Sequence, residues 1–248
     1  MEAFERVSTG IPKLDQMLGG GLLKGRTYLV TGETGVGKTI LSLQFILEGL
    51  KNGEQCIYVS LDERIEAVMR GALSLGWNFW EYVNNGLFYP FEFRLYAEDL
   101  RRFGKESKAF VNALQKIAGG RTITRIVLDP ISAIAAGAKQ ELVIREYLRE
   151  VVNTIEERFG ATTIMTCDIP TGSNKLSRFG FEEFLSSGVI VLGIQRFYGK
   201  LLKTIYVRKM RWSKADSSIY TFEIRPLEGI AILQPLSEQM DQSLINKP

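Results

Sequence analysis

Histidine is absent from the 248-residue chain. That removes the commonest general base near neutral pH, the imidazole metal ligand and every Ser-His arrangement. Cysteine occurs only twice, at Cys56 and Cys167, each inside an apolar run. The pair lacks a Cys-x-x-Cys metal spacing and reads as buried thiols in a reducing compartment. No apolar run approaches the roughly 18 residues that cross a bilayer. The opening "MEAFERVSTG" has no basic head leading into an apolar core. The expectation is a cytoplasmic protein with no membrane association. An excess of one charge is also lacking, because 31 Lys+Arg against 28 Asp+Glu leave only +3, too little to argue for nucleic acid by itself. Internal repeats and low-complexity tracts are missing as well.

What is present is an alternation of strand-like apolar runs with helix-period segments. It predicts an α/β fold with a mostly parallel sheet. Strands are expected at 26–32, 55–61, 124–129 and 161–167. Helices are expected at 38–53, with Leu41, Phe45 and Leu50 inward and Gly53 as the stop, at 64–77, with Ile65, Val68 and Leu75 inward, and at 141–160, ending at Gly160. The runs at 188–194, 203–210, 219–224 and 229–234 leave no room for helices between them and predict C-terminal antiparallel strands that extend the sheet. Residues 1–235 are expected to form one domain, followed by a polar tail over 236–248.

The stretch "GETGVGKT" over 32–39 satisfies G-x-x-x-x-G-K-[ST] in the required setting, between a β-branched strand and an amphipathic helix. Gly32, Gly35 and Gly37 allow the backbone to curl until successive N–H groups share one concavity. The helix behind it turns its positive end toward phosphate oxygens. Lys38 would place an ammonium at the β and γ phosphates, and Thr39 a hydroxyl at Mg²⁺. Gly32, Glu33, Thr34, Gly35, Val36, Gly37, Lys38, Thr39 and Ile40 are therefore the candidate nucleotide cradle, with ATP and Mg²⁺ as the implied ligands.

Acidic residues close two strands. "RIVLDP" ends in Asp129, a carboxylate placed beside the phosphate loop to hold the metal's water shell, or else a simple Asp-Pro strand-end turn. "YVSLDE" ends in Asp62 and Glu63. On a strand neighbouring the loop, such a pair suits a base that orients water. An equally direct reading makes Asp62 a helix N-cap and Glu63 a first-turn acid.

The segment "STGIPKLDQMLGGGLLKGRTYLVTGETGVGKTILSLQFILEGLKNGEQCIYVSLDE", with "FEEFLSSGVIVL" and "LKTIYVRKMRWSKADSSIYTFEI" further on, resembles the KaiC-type branch of the RecA superfamily of ATPases. The likeness runs over nearly the whole chain and is weakest around 78–120. It implies a RecA-like phosphate-loop core and assembly with itself as a ring, often a homohexamer, with ATP hydrolysed at subunit interfaces. It also implies that the carboxylate pair activates water, which favours catalytic roles for Asp62, Glu63 and Lys38. The family usually has Glu-Glu where this chain has Asp62 and Glu63. A Lys-Met-Arg segment that reaches the adjacent subunit's nucleotide corresponds to Lys209, Met210 and Arg211; on residue pattern alone those cations read as a charged edge strand. Where the family has Gly and, three positions on, His, this chain has Trp212 and Ala215. "FEEFLSSG" is closer to the family's non-phosphorylated domains, so no self-phosphorylating clock is expected.

The loop over 168–181 is glycine-rich and carries Lys175, Arg178 and Phe179. Its place after the fourth core strand is where RecA-type recombinases touch single-stranded DNA; the competing reading is a solvated loop. Trp77, Phe79, Trp80 and Tyr82 read as packing. Three uses of the nucleotide follow from the sequence: turnover driving a conformational signal to a protein partner, a recombinase paralogue acting on DNA or on a recombinase, and a sensor that binds ATP but barely hydrolyses it.

Overall fold

The computed structural model describes residues 4–94, 106–135, 141–173, 175–197 and 199–238. In chain order the first half forms β1 (Arg6–Val7), α1 (Pro12–Met17), β2 (Leu22–Leu23), β3 (Thr27–Gly32), α2 (Lys38–Lys51), β4 (Gln55–Ser60), α3 (Ile65–Ser74), α4 (Phe79–Asn84) and β5 (Phe88–Glu92). The second half forms α5 (Glu106–Ala118), β6 (Ile123–Asp129), α6 (Glu141–Thr154), β7 (Thr162–Asp168), α7 (Glu182–Leu185), β8 (Gly188–Phe197), β9 (Lys200–Met210), β10 (Tyr220–Arg225) and β11 (Gly229–Pro235). Among the described residues no helix is long and apolar enough to cross a membrane.

All six residues of β3 are buried, as a central strand covered on both faces requires. The nine-stranded sheet has the order β11-β10-β9-β8-β3-β7-β6-β4-β5. From β8 through β3 to β5 the strands run parallel, and from β8 to β11 each pair is antiparallel. The C-terminal strands thus extend the sheet as expected, with β8 also parallel to β3. Alternate residues of β3 serve opposite cores. Tyr28 and Val30 join Leu41, Phe45, Val68 and Phe79 on one face, and Leu29 joins Leu114, Ile144, Leu148 and Val151 on the other. Gly160, at φ +59°, closes the long helix as the sequence implies, although its last turn, Ile155–Phe159, is wound as a π-helix.

Two placements differ from the sequence reading. Neither β4 nor β6 neighbours β3, because β7 lies between β3 and β6, and β4 lies beyond β6. Crossover helices let sequential strands skip positions, so order along the chain does not fix order in the sheet. The unassigned region 78–120 contributes α4, β5 and α5. β5 carries Pro90 in its middle and lies at the sheet edge, where a missing N–H is tolerated and the sequence signal for a strand is weakest. The aromatic cluster is core at Trp77 and Phe79, whereas Trp80 is 42% exposed. Of the tail, only the first residues to Glu238 are described; the rest of that expectation lies outside the described residues.

One anchor of the antiparallel arm on the core is the buried side-chain amide of Gln44. Gln44 on α2 donates through Nε2 to the carbonyls of Gly10 and Glu228, and its Oε1 accepts from the Ile230 N–H. This holds the β10–β11 hairpin against the helix that follows the glycine loop.

Candidate nucleotide site

β3 ends in the glycine loop, and the loop ends at Gly37, the residue before α2, with φ +115°. A side chain at Gly37 would be strained by that angle and would meet Ile224 Cδ1 at 3.1 Å; one at Gly32 would lie 2.2 Å from the Leu192 carbonyl oxygen. β10 and β8 therefore crowd the loop, and only glycine fits at these two turns.

Lys38 is buried (7% exposed). Its Nζ donates to the carbonyls of Gly32 and Glu33 at 3.0 and 2.8 Å, and pairs with Asp168 Oδ1 at 2.7 Å. The other Asp168 oxygen accepts from Ser132 Oγ at 3.0 Å. Asp168 ends β7 as Asp129 ends β6. The sequence reading stopped that strand one residue early and missed it, although an acid closing an apolar run is the same signal that singled out Asp129.

A cleft of about 310 Å³ lies over the loop, within the size range of small-ligand sites. Thr34, Gly35, Gly37, Lys38, Thr39 and Ile40 line it from the loop and α2, and Tyr58, Ser60, Asp62, Glu63, Asp129 and Asp168 line it from the strand ends. The structure thus brings the loop residues and the three predicted carboxylates together, despite the intervening strands, because all of the parallel strands end on one edge. Gly32, Glu33 and Val36 shape the loop from behind; Val36 is wholly buried.

Asp129 is 5% exposed. Its two oxygens accept from the hydroxyls of Tyr58 and Thr166. Burial, and then the Asp129 carboxylate, push the Tyr58 phenol well above its ordinary pKa, so it stays a donor and fixes the carboxylate's orientation. Asp62 and Glu63 are exposed at the cleft mouth. The residue capping α3 is Arg64, with no side-chain cap bond, and the Ile65 N–H is taken by Glu92 of β5 at 2.9 Å. The helix-cap geometry expected of Asp62 is therefore not adopted.

Among the described residues no three Asp, Glu or Cys side chains are grouped to hold a metal unaided. A hydroxyl at Thr39 and a carboxylate at Asp129 suit Mg²⁺, which takes few protein ligands and completes its shell with phosphate oxygens and water. The donor set fits a metal that arrives with a polyphosphate.

Lys209 and Arg211 are elsewhere. Lys209 Nζ donates to the carbonyls of Glu183 and Ser186 at 2.6 and 2.7 Å, and Arg211 Nη2 to that of Phe184 at 3.3 Å. The strand register sets their distance from the loop. Gly32 lies level with Leu192, whereas Lys209 lies level with Val189 and so with Leu29. Three residues of strand are about 10 Å. The Arg211 N–H bonds to the Ser187 carbonyl, two pairings further toward the opposite edge. These cations do not reach the chain's own cleft.

The 168–181 loop is tied to the cradle: Ile169 N–H donates to Gly32, Thr31 Oγ1 donates to the Leu176 carbonyl at 2.6 Å, and Glu33 Oε1 accepts from the Gly172 N–H at 3.0 Å. Lys175 and Arg178 are exposed, while Phe179 packs against the core and stacks on Phe181, with ring centroids 5.7 Å apart. The buried acid Glu182 (0% exposed) organises the loop's end by accepting from Ser177 Oγ and the N–H groups of Phe179 and Phe181. Both cysteines are buried and free; burial raises both thiols, Cys56 to about 12, which leaves them inert.

A buried strand feeding a glycine loop and a lysine-bearing helix, on a sheet whose parallel strands end in acids around one cleft, defines an α/β phosphate-loop protein of RecA-like architecture. The family described as "ATPase: KaiC" matches residues 7–237, and the chain belongs to it. The chain is 28% identical over 238 residues to the circadian clock protein KaiC3 of Synechocystis, covering 95% of this chain and 47% of that protein; it spans about half the length of this relative. It is 29% identical to the UPF0273 protein MK0039 of Methanopyrus kandleri, covering 93% and 92% of the two chains. The crystal structure of the KaiC-like protein PH0186 of Pyrococcus horikoshii superposes with a TM-score of 0.82 at 36% identity, covering 94% of this chain and 100% of that one.

Proposed function

We propose that the protein is an ATPase that binds Mg-ATP in this cleft and completes each active site with cations from a second copy of itself. The observation that carries the reading is the opposite placement of the two halves: Lys38 and the acids on one edge of the sheet, Lys209 and Arg211 toward the other. One ATPase domain over 1–235 is the repeating unit, and a closed ring, a homohexamer for instance, satisfies every site at once.

Mg-ATP supplies the transferable phosphoryl group and the divalent charge that neutralises it. Lys38 leaves Asp168 for the β and γ phosphates, and the loop N–H groups with the start of α2 hold the oxygens. Thr39 and Asp129 would hold the Mg²⁺ and its water shell, which supplies the charge neutralisation at the phosphates. Asp62 or Glu63, exposed at the mouth, orients the attacking water and accepts its proton. Lys209 and Arg211 of the neighbouring copy face the charge that develops in transfer. Turnover at such an interface changes how copies meet, which suits a regulatory output read by a protein partner.

The test is complementation. Lys38→Ala and Arg211→Ala are each expected to be nearly inactive, yet a mixed assembly contains interfaces that pair an intact loop with intact cations and should recover hydrolysis. Specific activity of the wild type should rise with protein concentration through the assembly range. Co-assembly without recovered hydrolysis refutes the shared site. A parallel measurement with single-stranded DNA tests the 168–181 loop: strong stimulation would favour the recombinase-type reading instead.

A further inference from the structure

Lys203 lies on β9, paired with Ile194 on one side and Phe222 on the other. Its side chain crosses to the outside of the glycine loop. There Nζ donates to the Gly35 carbonyl at 2.7 Å and reaches the Val36 carbonyl at 3.4 Å. Among the described residues it has no carboxylate partner.

The two carbonyls are informative because a trans peptide is planar, with its C=O and N–H on opposite sides. The Gly35 carbonyl shares a plane with the Val36 N–H, and the Val36 carbonyl with the Gly37 N–H. An ammonium that holds both oxygens on the outer side turns both N–H groups the other way. These two peptide units adjoin Gly35 and Gly37, at φ +81° and +115°, where glycine's wide conformational range leaves a plane most free to rotate. Charge-assisted bonds are roughly twice as strong as neutral ones, so this lysine supplies what the glycines lack. Partial burial lowers its pKa, which marks the group as partly withdrawn from solvent.

We propose that Lys203 is a positioning residue for nucleotide binding: from outside the cradle it fixes the Gly35–Val36 and Val36–Gly37 peptide planes so that their N–H groups meet phosphate oxygens. The proposal rests on the nucleotide reading above. It assigns to β9 a task at its own subunit's loop, separate from the one proposed for Lys209 further along the strand and for Arg211 just past its end.

The experiment compares wild type, Lys203→Met and Lys203→Arg by titration with Mg-ATP and Mg-ADP, with thermal unfolding and amide hydrogen exchange of the nucleotide-free proteins alongside. Lys203→Met keeps the apolar stem and removes the charge. It should weaken both nucleotides by about tenfold, the worth of one charged hydrogen bond, speed exchange over residues 33–40 specifically, and leave the unfolding midpoint close to wild type. Lys203→Arg should restore most of the affinity. Equal affinity of wild type and Lys203→Met for Mg-ATP overturns the proposal while leaving the nucleotide reading intact. Failure of the wild type to bind Mg-ATP overturns the nucleotide reading itself. Global unfolding of Lys203→Met also overturns the proposal, because the side chain would then be holding the arm together rather than setting the loop.

Discussion

The two edges of the central sheet treat positive charge differently. On the cleft edge, Lys38 is buried and has its own counter-ion, Asp168. Toward the opposite edge, Lys209 and Arg211 bond only to main-chain carbonyls around α7, and among the described residues neither has an ion pair. Arg125 sits on that same far edge and shows the contrast. It is 2% exposed, takes Glu54 through Nε and Nη2 at 2.8 Å each, donates to the carbonyls of Ser8 and Phe45, and lies over the Phe45 ring. A cation held at two nitrogens by a carboxylate, as Arg125 is by the half-buried Glu54, has its charge spent on the fold. One bonded only to carbonyls is oriented but keeps its full charge for an anion from outside. Lys209 is already partly desolvated, and burial, followed by the neighbouring Arg211, lowers its pKa.

Four substitutions at three places put that contrast to the test. The largest effect is expected at Lys38, whose charge has no substitute inside the cleft. Lys38→Ala should take hydrolysis below detection and weaken Mg-ATP binding by more than about a hundredfold, with an unchanged circular dichroism spectrum. Normal turnover in a folded variant would remove the cleft edge from the chemistry altogether. Next are the carboxylates at the mouth. A positioned base contributes about 10²–10⁴-fold, so Glu63→Gln or Asp62→Asn should slow turnover within that range while nucleotide binding, measured by titration, stays nearly wild type. If neither change slows turnover tenfold, the exposed pair is only a strand-end turn.

The smallest catalytic effect is expected at Glu54, where the role is stability. The hydrogen bond from Arg125 holds the Glu54 carboxyl below its ordinary pKa of 4.5. A depressed folded value contributes stability that is present above the unfolded pKa and is lost as pH falls through the folded one. Glu54→Gln should therefore lower unfolding free energy by about 3 kcal/mol at neutral pH, flatten the acid limb of the stability profile, and leave turnover per folded molecule unchanged. Loss of turnover at full stability would mean that the far edge does not divide into structural and functional cations as described.

The motif and its strand-helix setting were readable because they are local: "GETGVGKT" needs only its neighbours in sequence. Core strands were readable because burial on both faces leaves continuous apolar runs. What escaped depends on partners far along the chain. Lys203 sits in a segment that reads as an ordinary alternating strand, and nothing in that segment shows that β9 passes the glycine loop 168 residues earlier. Arg125 opens an apolar strand and looks like a solvated end until Glu54 and the Phe45 ring close around it. β5 was masked by its proline. The acids at 62 and 63 were ambiguous for a local reason: capping a helix and lining a cleft favour the same residue types at a strand-to-helix turn, and only the position of Arg64 separates the two.

The Lys38–Asp168 contact has a thermodynamic consequence. A lysine as buried as Lys38 would be costly to leave uncompensated, and Asp168 serves as a resident anion in the place where phosphate would act. Under the proposed function, nucleotide binding would exchange one anion for another, and its affinity would be net of separating the pair. The carboxylate is tethered beyond the lysine: Ser132 donates to its other oxygen, and the next residue, Ile169, is bonded to Gly32 at the base of the cradle. Under the proposed function Asp168 would act as a latch on Lys38, at the root of a loop that is tied to the cradle at three points.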